Sequence, residues 1–186
     1  IYDHYGAYTA VDRPGIVQHD GGFQAGYGAR GNLTEVIYRN PDGSPSEIHL
    51  YNQYDIAGNL VKAVDGRGFA TDFDFSDRFG SPDDEARSNS GAPELAGGFT
   101  YAFPTKVTNA LDHTACTQYD YYLGVPVNSE DANGVVSSVS YNDPLDPPTR
   151  GIQARYKVGV GALAEKRQTT ITYDDTNRVI TTRSDL

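Results

Sequence analysis

The chain has 186 residues, enough for one ordinary domain or a short array of repeats. Hydrophobic residues make up 38% and charged residues 22%, a balance that is typical of folded rather than disordered chains. The formal net charge of -10 disfavours nucleic acid and anionic membrane surfaces as partners. The single cysteine, Cys116, excludes an intramolecular disulfide, and no apolar run is long enough for a membrane span.

The composition favours β-structure. Gly 20 and Pro 10 break the chain into short segments, and Tyr 14 with Phe 7 suits a half-buried pleated surface better than a helix. Methionine is absent, including at position 1, so we expect the sequence to be a piece of a longer polypeptide. Any export signal would then lie upstream.

The N-terminal part gives the weakest pattern. Residues 1–25 contain several tyrosines but no repeat, and we make no structural prediction for them. Residues 26–31 match the Gly-x-Gly-x-x-Gly pattern of dinucleotide-binding loops, which requires a strand before it and a helix after it. Strand-type residues follow instead, and Gly31-Asn32-Leu33 matches a string at 58–60. We therefore interpret this glycine pattern as a repeat turn.

An aromatic residue followed by aspartate recurs along the chain, with a unit of roughly 20 residues and insertions between some units. The aromatic-aspartate pairs are Tyr54-Asp55, Phe73-Asp74, Tyr119-Asp120 and Tyr173-Asp174, with Tyr141-Asn142 as a softened copy. A small turn and a short apolar segment follow each of the first three pairs. The pattern indicates strand, turn and strand, and we expect each aspartate of the four pairs to accept hydrogen bonds from turn amides.

A second class of turn lies between these pairs, at residues 65–68 and 131–134. Asp65-Gly66 and Asn133-Gly134 are expected to supply the positive φ angles of tight hairpins. The residues between turns alternate between two faces, as at 69–76, 135–142 and 169–174. This period of two predicts strands that bury one face.

These strings together resemble the rearrangement-hotspot (Rhs) or YD-repeat family, over roughly residues 26–183. That family includes bacterial polymorphic toxins, cocoon components of insecticidal toxin complexes and the teneurins. The resemblance implies β-hairpins that wind into a hollow shell, with any chemistry carried elsewhere on the parent chain. The fold class predicted is therefore all-β, with antiparallel β-hairpin repeats that form part of a spiral or shell-like sheet.

The resemblance implies a structural role for the repeated residues and no catalytic, cofactor-binding or metal-binding role. The repeat residues are Tyr54, Asp55, Gly58, Phe73, Asp74, Gly80, Tyr119, Asp120, Gly124, Asn133, Gly134, Tyr141, Tyr173 and Asp174.

The domain organisation follows from where the period breaks. An N-terminal segment, 1–25, precedes a repeat array at 26–183 and a tail at 184–186. Long loops are expected near 81–98 and at 143–151, which are rich in turn formers and proline. Residues 161–167 have the best helix-forming composition, enough for a turn or two.

Residues that could carry chemistry form no convincing site. His113 and Cys116 are three residues apart, which places them on opposite faces of a strand. The histidines lack the spacing of zinc ligands, and the acidic residues from Asp72 onward lack that of a calcium loop. The Asp-Pro pairs at 143–148 depart from the self-cleaving motif that ends many Rhs shells. We therefore expect neither an enzyme nor a cofactor.

Two functions from different classes follow. The first is a noncatalytic segment of a secreted or cell-surface bacterial protein, a β-sheet shell or scaffold that encloses or displays a toxin or effector. Its partners would be neighbouring repeats of the parent chain, or other copies paired through exposed sheet edges such as the hairpin at 169–183. The alternative is a carbohydrate-binding or adhesive module that uses exposed Tyr, Asp and Asn side chains. Aromatic rings exposed in a row would favour that alternative, and their burial would favour the shell.

Overall fold

The computed structural model describes residues 1–6, 8–77, 98–121, 124–141, 154–160, 165–174 and 176–184. The expected long loops fall largely outside these ranges, as do Gly80 and the last two residues. The chain divides into two compact units, the first of residues 1–77 and 98–113 and the second from Thr114 onward. In the described part of the chain the regular structure is almost entirely β, and the one helical element is a single 3-10 turn, Gly21–Phe23.

The first unit is an antiparallel sheet whose strands pair in chain order. The strands are β1 (Glu35–Arg39), β2 (Glu47–Tyr54), β3 (Leu60–Val64), β4 (Ala70–Asp74) and β5 (Lys106–Thr108). Short turns join β2 to β3 and β3 to β4, which is the hairpin order that the alternating pattern predicts.

The second unit is built in the same way, again with antiparallel pairing between strands that follow each other in the chain. The strands are β6 (Thr114–Asp120), β7 (Val125–Glu130), β8 (Val135–Tyr141), β9 (Ala154–Val160), β10 (Glu165–Asp174) and β11 (Val179–Ser184). The protein is therefore all-β and antiparallel.

The helical propensity of residues 161–167 does not decide their conformation. Residues 165–167 open β10, and Glu165 pairs with Gly159 of β9. The prediction of a helical turn is wrong for these three residues, and 161–164 lie outside the described ranges. Ladder pairing with β9 outweighs a propensity difference of a few tenths of a kcal/mol per residue.

The apolar core of the first unit is small. Ile56, Val61, Val64 and Phe75 are buried, together with Ala10 from the N-terminal segment. The buried residues also include polar ones, and Asp55 and Thr105 are fully enclosed. No helix in the described part of the chain is long and apolar enough to cross a membrane.

The N-terminal segment contacts this sheet through isolated bridges rather than a strand of its own. Tyr2 pairs with Leu33, Val11 with Asp55 and Ile16 with Phe99. These pairs tie residues 1–17 to the start of β1, to the β2–β3 turn and to the segment before β5.

Candidate functional site

Asp55 closes the hairpin between β2 and β3, and its side chain is completely buried. Its Oδ1 accepts a hydrogen bond from the Asn59 amide at 2.8 Å, and Oδ2 accepts one from the Asn59 side chain at 3.1 Å. Arg13 donates from Nε to the same Oδ2 at 2.8 Å. A carboxylate buried without partners would be very costly, so these three donors are what allow Asp55 to sit inside the fold.

The chain around Val11 covers this turn. The Val11 amide donates to the Tyr54 carbonyl at 2.9 Å, and the Ile56 amide donates to the Val11 carbonyl at 3.0 Å. Because both bonds use main-chain groups on either side of Asp55, the N-terminal segment satisfies the turn that the aspartate caps.

Arg13 is held from two sides. Its guanidinium lies over the Tyr101 ring, 4.9 Å from the centroid, in addition to its ion pair with Asp55. The Tyr101 hydroxyl donates to the Pro14 carbonyl at 2.9 Å, so the ring is fixed against the same segment. A planar guanidinium is suited to pairing and stacking at once.

The same turn geometry occurs at four places in the described part of the chain. In each, a side-chain oxygen of the first residue accepts from the amide four residues later, at 2.8 to 3.1 Å. Two main-chain hydrogen bonds, from residue one to five and from four to one, close each turn. The turns span residues 55–59, 65–69, 109–113 and 131–135. They are type I turns followed by a left-handed residue.

The left-handed residue is always the fourth of the turn. Positive φ angles occur at Gly58, Gly68, Asp112 and Gly134, with values of 88, 87, 60 and 75°. The expected positive φ at Asn133-Gly134 is therefore right for the glycine, whereas the expectation at Asp65-Gly66 is wrong because Gly66 does not adopt it. Counting turn length from the aspartate, rather than from the Asp-Gly pair, predicts the correct position.

The turn at 109–113 was missed in the sequence. It begins with Asn109 instead of aspartate, and Asp112 stands where the other turns have glycine. Aspartate and asparagine are the residues other than glycine that best tolerate left-handed φ. The sequence pattern that would predict this turn is Asn109 three positions before Asp112, followed by the β-forming residues of β6.

Tyr54 and Tyr119 occupy equivalent positions next to a β-bulge. The register of β2 with β3 shifts by one residue between Gln53 and Tyr54, and that of β6 with β7 shifts between Gln118 and Tyr119. The extra residue opposite each shift is a buried valine, at 61 and 127. The two Gln-Tyr-Asp strings therefore have the same local structure in separate units.

The aspartates at 74 and 174 also cap turns. Asp74 Oδ1 accepts from the Ser76 amide at 2.8 Å and from the Ser76 hydroxyl at 2.7 Å. Asp174 Oδ1 accepts from the Asn177 amide at 3.0 Å, and Oδ2 accepts from the Asn177 side chain at 2.7 Å. With Asp55, these bonds confirm the predicted role of three of the four paired aspartates.

Of the remaining repeat residues, some have described side chains and others do not. Tyr54, Phe73 and Tyr119 are half-buried on β2, β4 and β6. Gly124 takes a positive φ of 68° between β6 and β7. Tyr141 and Tyr173 belong to β8 and β10, and the side-chain surroundings of these two, like those of Asp120, lie outside what the structure describes.

The capping bonds also set the ionisation of the carboxylates. Hydrogen bonds from the Phe69 and Arg67 amides lower the pKa of Asp65, and those from the Val135 and Asn133 amides lower the pKa of Asp131. The Asn177 side chain and amide do the same for the pKa of Asp174. Each hydrogen bond favours the charged form of the carboxylate, so the aspartates of all three turns have a lowered pKa for the same reason.

A second polar cluster joins the N-terminal segment to β1 and β2. Glu35 is buried, and its two oxygens face His4 Nδ1 at 3.1 Å and His49 Nδ1 at 2.6 Å. His49 Nε2 also lies 3.5 Å from Glu47. The hydrogen bond from His49 lowers the pKa of Glu35, against a desolvation effect that raises it. No local pattern in the sequence predicts this cluster, because His4 and His49 lie 31 and 14 positions from Glu35.

The histidines of this cluster direct their ring nitrogens at carboxylates rather than at a shared centre. In the ranges that the structure describes, no group of three or more His, Cys, Asp or Glu side chains has a geometry that could hold a metal ion. Asp72, considered above as a calcium ligand, forms an ion pair with Lys62 of the neighbouring strand at 2.5 Å. Cys116 is half-buried on β6.

The glycine pattern at 26–31 leads into a strand. Gly31 has a positive φ of 74°, and β1 begins four residues later, so the helix that a dinucleotide loop requires is absent from this described stretch. Instead, the chain at 20–32 lies against the β2–β3 turn and forms a cavity of about 250 Å³. The cavity is lined by Phe23, Tyr27, Ala29, Arg30, Asn32, Ile56, Ala57 and Gly58.

The sequence matches no protein-family model, and no curated protein is similar to it.

Proposed function

We propose that the chain is a noncatalytic structural segment of a larger secreted or cell-surface protein of the Rhs or YD-repeat type. In this proposal its sheets form part of a β-shell or scaffold that encloses or displays a toxin or effector. It requires no cofactor, and its partners are neighbouring repeats of the parent chain.

The observation that carries the proposal is the recurrence of one local structure. The turn of 55–59 has the same hydrogen bonds as that of 131–135, and the bulge beside Tyr54 is repeated beside Tyr119. A chain that repeats a hairpin unit extends a sheet by addition of like units, which is how repeat proteins build walls and arrays.

The half-buried state of the repeat aromatics also favours a scaffold. Tyr54, Phe73 and Tyr119 are neither enclosed nor fully exposed. Rings that cover a sheet face in this way serve packing, whereas a row of fully exposed rings would favour a binding surface.

The edge of the second unit supports assembly through strand addition. All six residues of β11 are exposed, and Ile180 is 66% exposed. Among the described strands, β11 pairs with β10 alone. An unpaired strand edge is a template for another strand, here from a second copy or from other repeats of the parent.

The test is the association state of the full chain over a concentration series, by sedimentation velocity. Neighbouring residues of an edge strand direct their amides alternately to the partner strand and to the open side. Of the two variants Thr181→Pro and Thr182→Pro, one therefore blocks the open edge while it leaves the β10–β11 hairpin intact. We expect association of the native chain and its loss in that variant.

Two results would count against strand addition. One is a native chain that stays monomeric at high concentration. The other is association as strong as that of the native chain in the proline variant that blocks the open edge and keeps its fold. Circular dichroism identifies which variant keeps the native sheet.

A carbohydrate-binding or adhesive module is the second candidate function. It is favoured by the cavity at the β2–β3 turn, where Phe23 and Tyr27 are 43% and 40% exposed. Exposed aromatic side chains that line a cavity are typical of ligand sites rather than of sheet packing.

A further inference from the structure

The cavity beside the β2–β3 turn has an aromatic wall that is already in place. The rings of Phe23 and Tyr27 meet edge to face, with centroids 4.8 Å apart and an angle of 78° between the ring planes. Phe23 and Tyr27 nevertheless remain 43% and 40% exposed. The wall therefore presents apolar surface to whatever enters the cavity.

Arg30 fixes this wall to the sheet. Its Nε donates to the Tyr27 carbonyl at 3.1 Å, and Nη1 donates to the Ile56 carbonyl at 2.9 Å. Its Nη2 donates to the carbonyls of Phe23 and Gln24. One guanidinium thus ties both aromatic residues to the β2–β3 turn, so that little ordering remains to be done on binding.

The lining residues also have hydrogen-bond donors and acceptors that are not used within the described residues. Arginine has five N–H groups, and the four bonds above leave one on Nη1. Neither the Tyr27 hydroxyl nor the Asn32 side-chain oxygen has a hydrogen-bond partner within the described residues, whereas the Asn32 side-chain amide donates to Tyr5. The lining residues therefore offer three donors, which are the remaining N–H groups of Arg30 and Asn32 and the Tyr27 hydroxyl, together with two acceptors and an aromatic surface.

We propose that this cavity binds a single neutral hexopyranose ring, an assignment that rests on the second candidate function above. The apolar C–H face of the sugar packs on Tyr27 and Phe23, and its hydroxyls bond to Arg30, Asn32 and the Tyr27 hydroxyl. The volume of about 250 Å³ lies below the usual range of drug-sized sites, which limits the ligand to one ring. The net charge of -10 disfavours phosphorylated or acidic sugars.

The test is saturation-transfer NMR on the full chain with the methyl glycosides of glucose, galactose and N-acetylglucosamine, each at millimolar concentration. We expect transfer to the ring protons of at least one of them. Tyr27→Ala should abolish the signal, and Tyr27→Phe should retain the ring contact with an affinity several-fold lower. Tyr38→Ala, which removes an exposed tyrosine of β1 that is not part of the cavity, should bind like the native chain.

Circular dichroism of Tyr27→Ala separates loss of the site from loss of the fold. The inference fails if no glycoside receives saturation, or if the folded Tyr27→Ala variant gives the native signal. It also fails if the signals of Phe23 and Tyr27 shift on concentrating the protein without sugar, because the cavity then accepts a second copy of the chain. The first two results leave the association test of the scaffold unchanged. Self-association through the cavity would persist in the proline variant that blocks the open edge of β11, whereas strand addition would not, so the two proposals can fail separately.

Discussion

Two aspartates at equivalent places in the repeat have opposite surroundings. Asp55 is fully buried and accepts from Asn59 and Arg13, whereas Asp174 is exposed and accepts from Asn177. Both are followed by a reversal of the chain and a strand. The difference lies in the N-terminal segment, which covers the first turn. The capped turn therefore forms without burial, and burial is added by a segment that lies across it.

We call the turn at 55–59 covered, because the N-terminal segment lies across it, and the turns that begin at Asp65, Asp131 and Asp174 open. Removal of the aspartate should therefore lower the free energy of unfolding by very different amounts at the two kinds of turn. An open turn loses a hydrogen-bonded cap when its aspartate is removed, and water replaces part of the lost contact. At the covered turn, removal of Asp55 also leaves the largely buried Arg13 side chain without its ion-pair partner.

The largest effect is expected from Asp55→Ala. The substitution leaves Arg13, whose side chain is 13% exposed, without its ion-pair partner. It should lower the free energy of unfolding of the first unit by about 3 to 5 kcal/mol. Asp131→Ala, at an open turn of the same geometry, should cost much less. Urea denaturation of the two variants measures the difference, and equal losses would mean that the N-terminal segment does not stabilise the covered turn.

Arg13→Ala should have an intermediate effect. Asp55 keeps its two bonds from Asn59 in this variant. The loss is that of one charge-assisted hydrogen bond and of the stacking of Arg13 on Tyr101, together about 2 to 3 kcal/mol. The double variant Arg13→Ala with Asp55→Ala should be less destabilised than the sum of the single variants. Additive losses in this double-mutant cycle would rule out direct coupling between the two side chains.

The sequence predicts the turns themselves far better than the segment that covers one of them. Alternation and aspartate spacing locate β2, β3 and β4 and three of the four similar turns, because each rests on residues close together in the chain. The parallel bridge between Val11 and Asp55 joins residues that have no shared periodicity. The ion pair of Arg13 with Asp55 spans 42 positions, so it appears only once the chain has folded.

The candidate sites also differ in how well the sequence predicts them, since some are built from neighbouring residues and others from residues far apart in the chain. The paired aspartates were identified because their turns are local, but Glu35 was not, since its partners come from the N-terminal segment and from β2. The aromatic cavity combines loop 20–32 with residues 56–58. The glycine pattern at 26–31 lies in that loop, but no pattern in the sequence predicts that the loop packs against the β2–β3 turn.

The cluster of Glu35 with His4 and His49, which also holds the N-terminal segment to the sheet, should stabilise the fold in a pH-dependent way. The lowered pKa of Glu35 in the folded chain means that its contribution is fully present above the ordinary glutamate pKa, about 4.3, and is lost as the pH falls through the lowered value. Glu35→Gln removes this contribution, so the native chain and the variant should converge in stability as the pH drops from 7 to 3. A difference that stays constant over this range would contradict the assignment.

The two histidines should contribute unequally to that response. His49 lies 2.6 Å from Glu35 and its hydrogen bond is the main cause of the lowered pKa, while His4 lies at 3.1 Å and is more exposed. His49→Gln should therefore reduce the acid dependence of unfolding more than His4→Gln does. Urea midpoints at pH 7, 5, 4 and 3 give the comparison, and the reverse order would shift the main interaction to the N-terminal segment.

The smallest effects concern the fourth turn residue, where covered and open turns share one backbone requirement. Gly68 has a φ of 87° and open space around the position of an added Cβ, so Gly68→Ala carries only the cost of left-handed backbone, about 1 kcal/mol. Asp112 has a φ of 60°, and Asp112→Gly relieves a similar but smaller strain at the expense of greater freedom in the unfolded chain. We expect a lower melting temperature for the first variant and a change within about 0.5 kcal/mol for the second. Within the described residues, the main-chain hydrogen bonds of Gly68 and Asp112 stay inside their own turns. Gly68→Ala should therefore cost the same whether or not Arg13 has been replaced. A cost that depends on Arg13 would mean that the covering segment also sets the backbone of the neighbouring open turn.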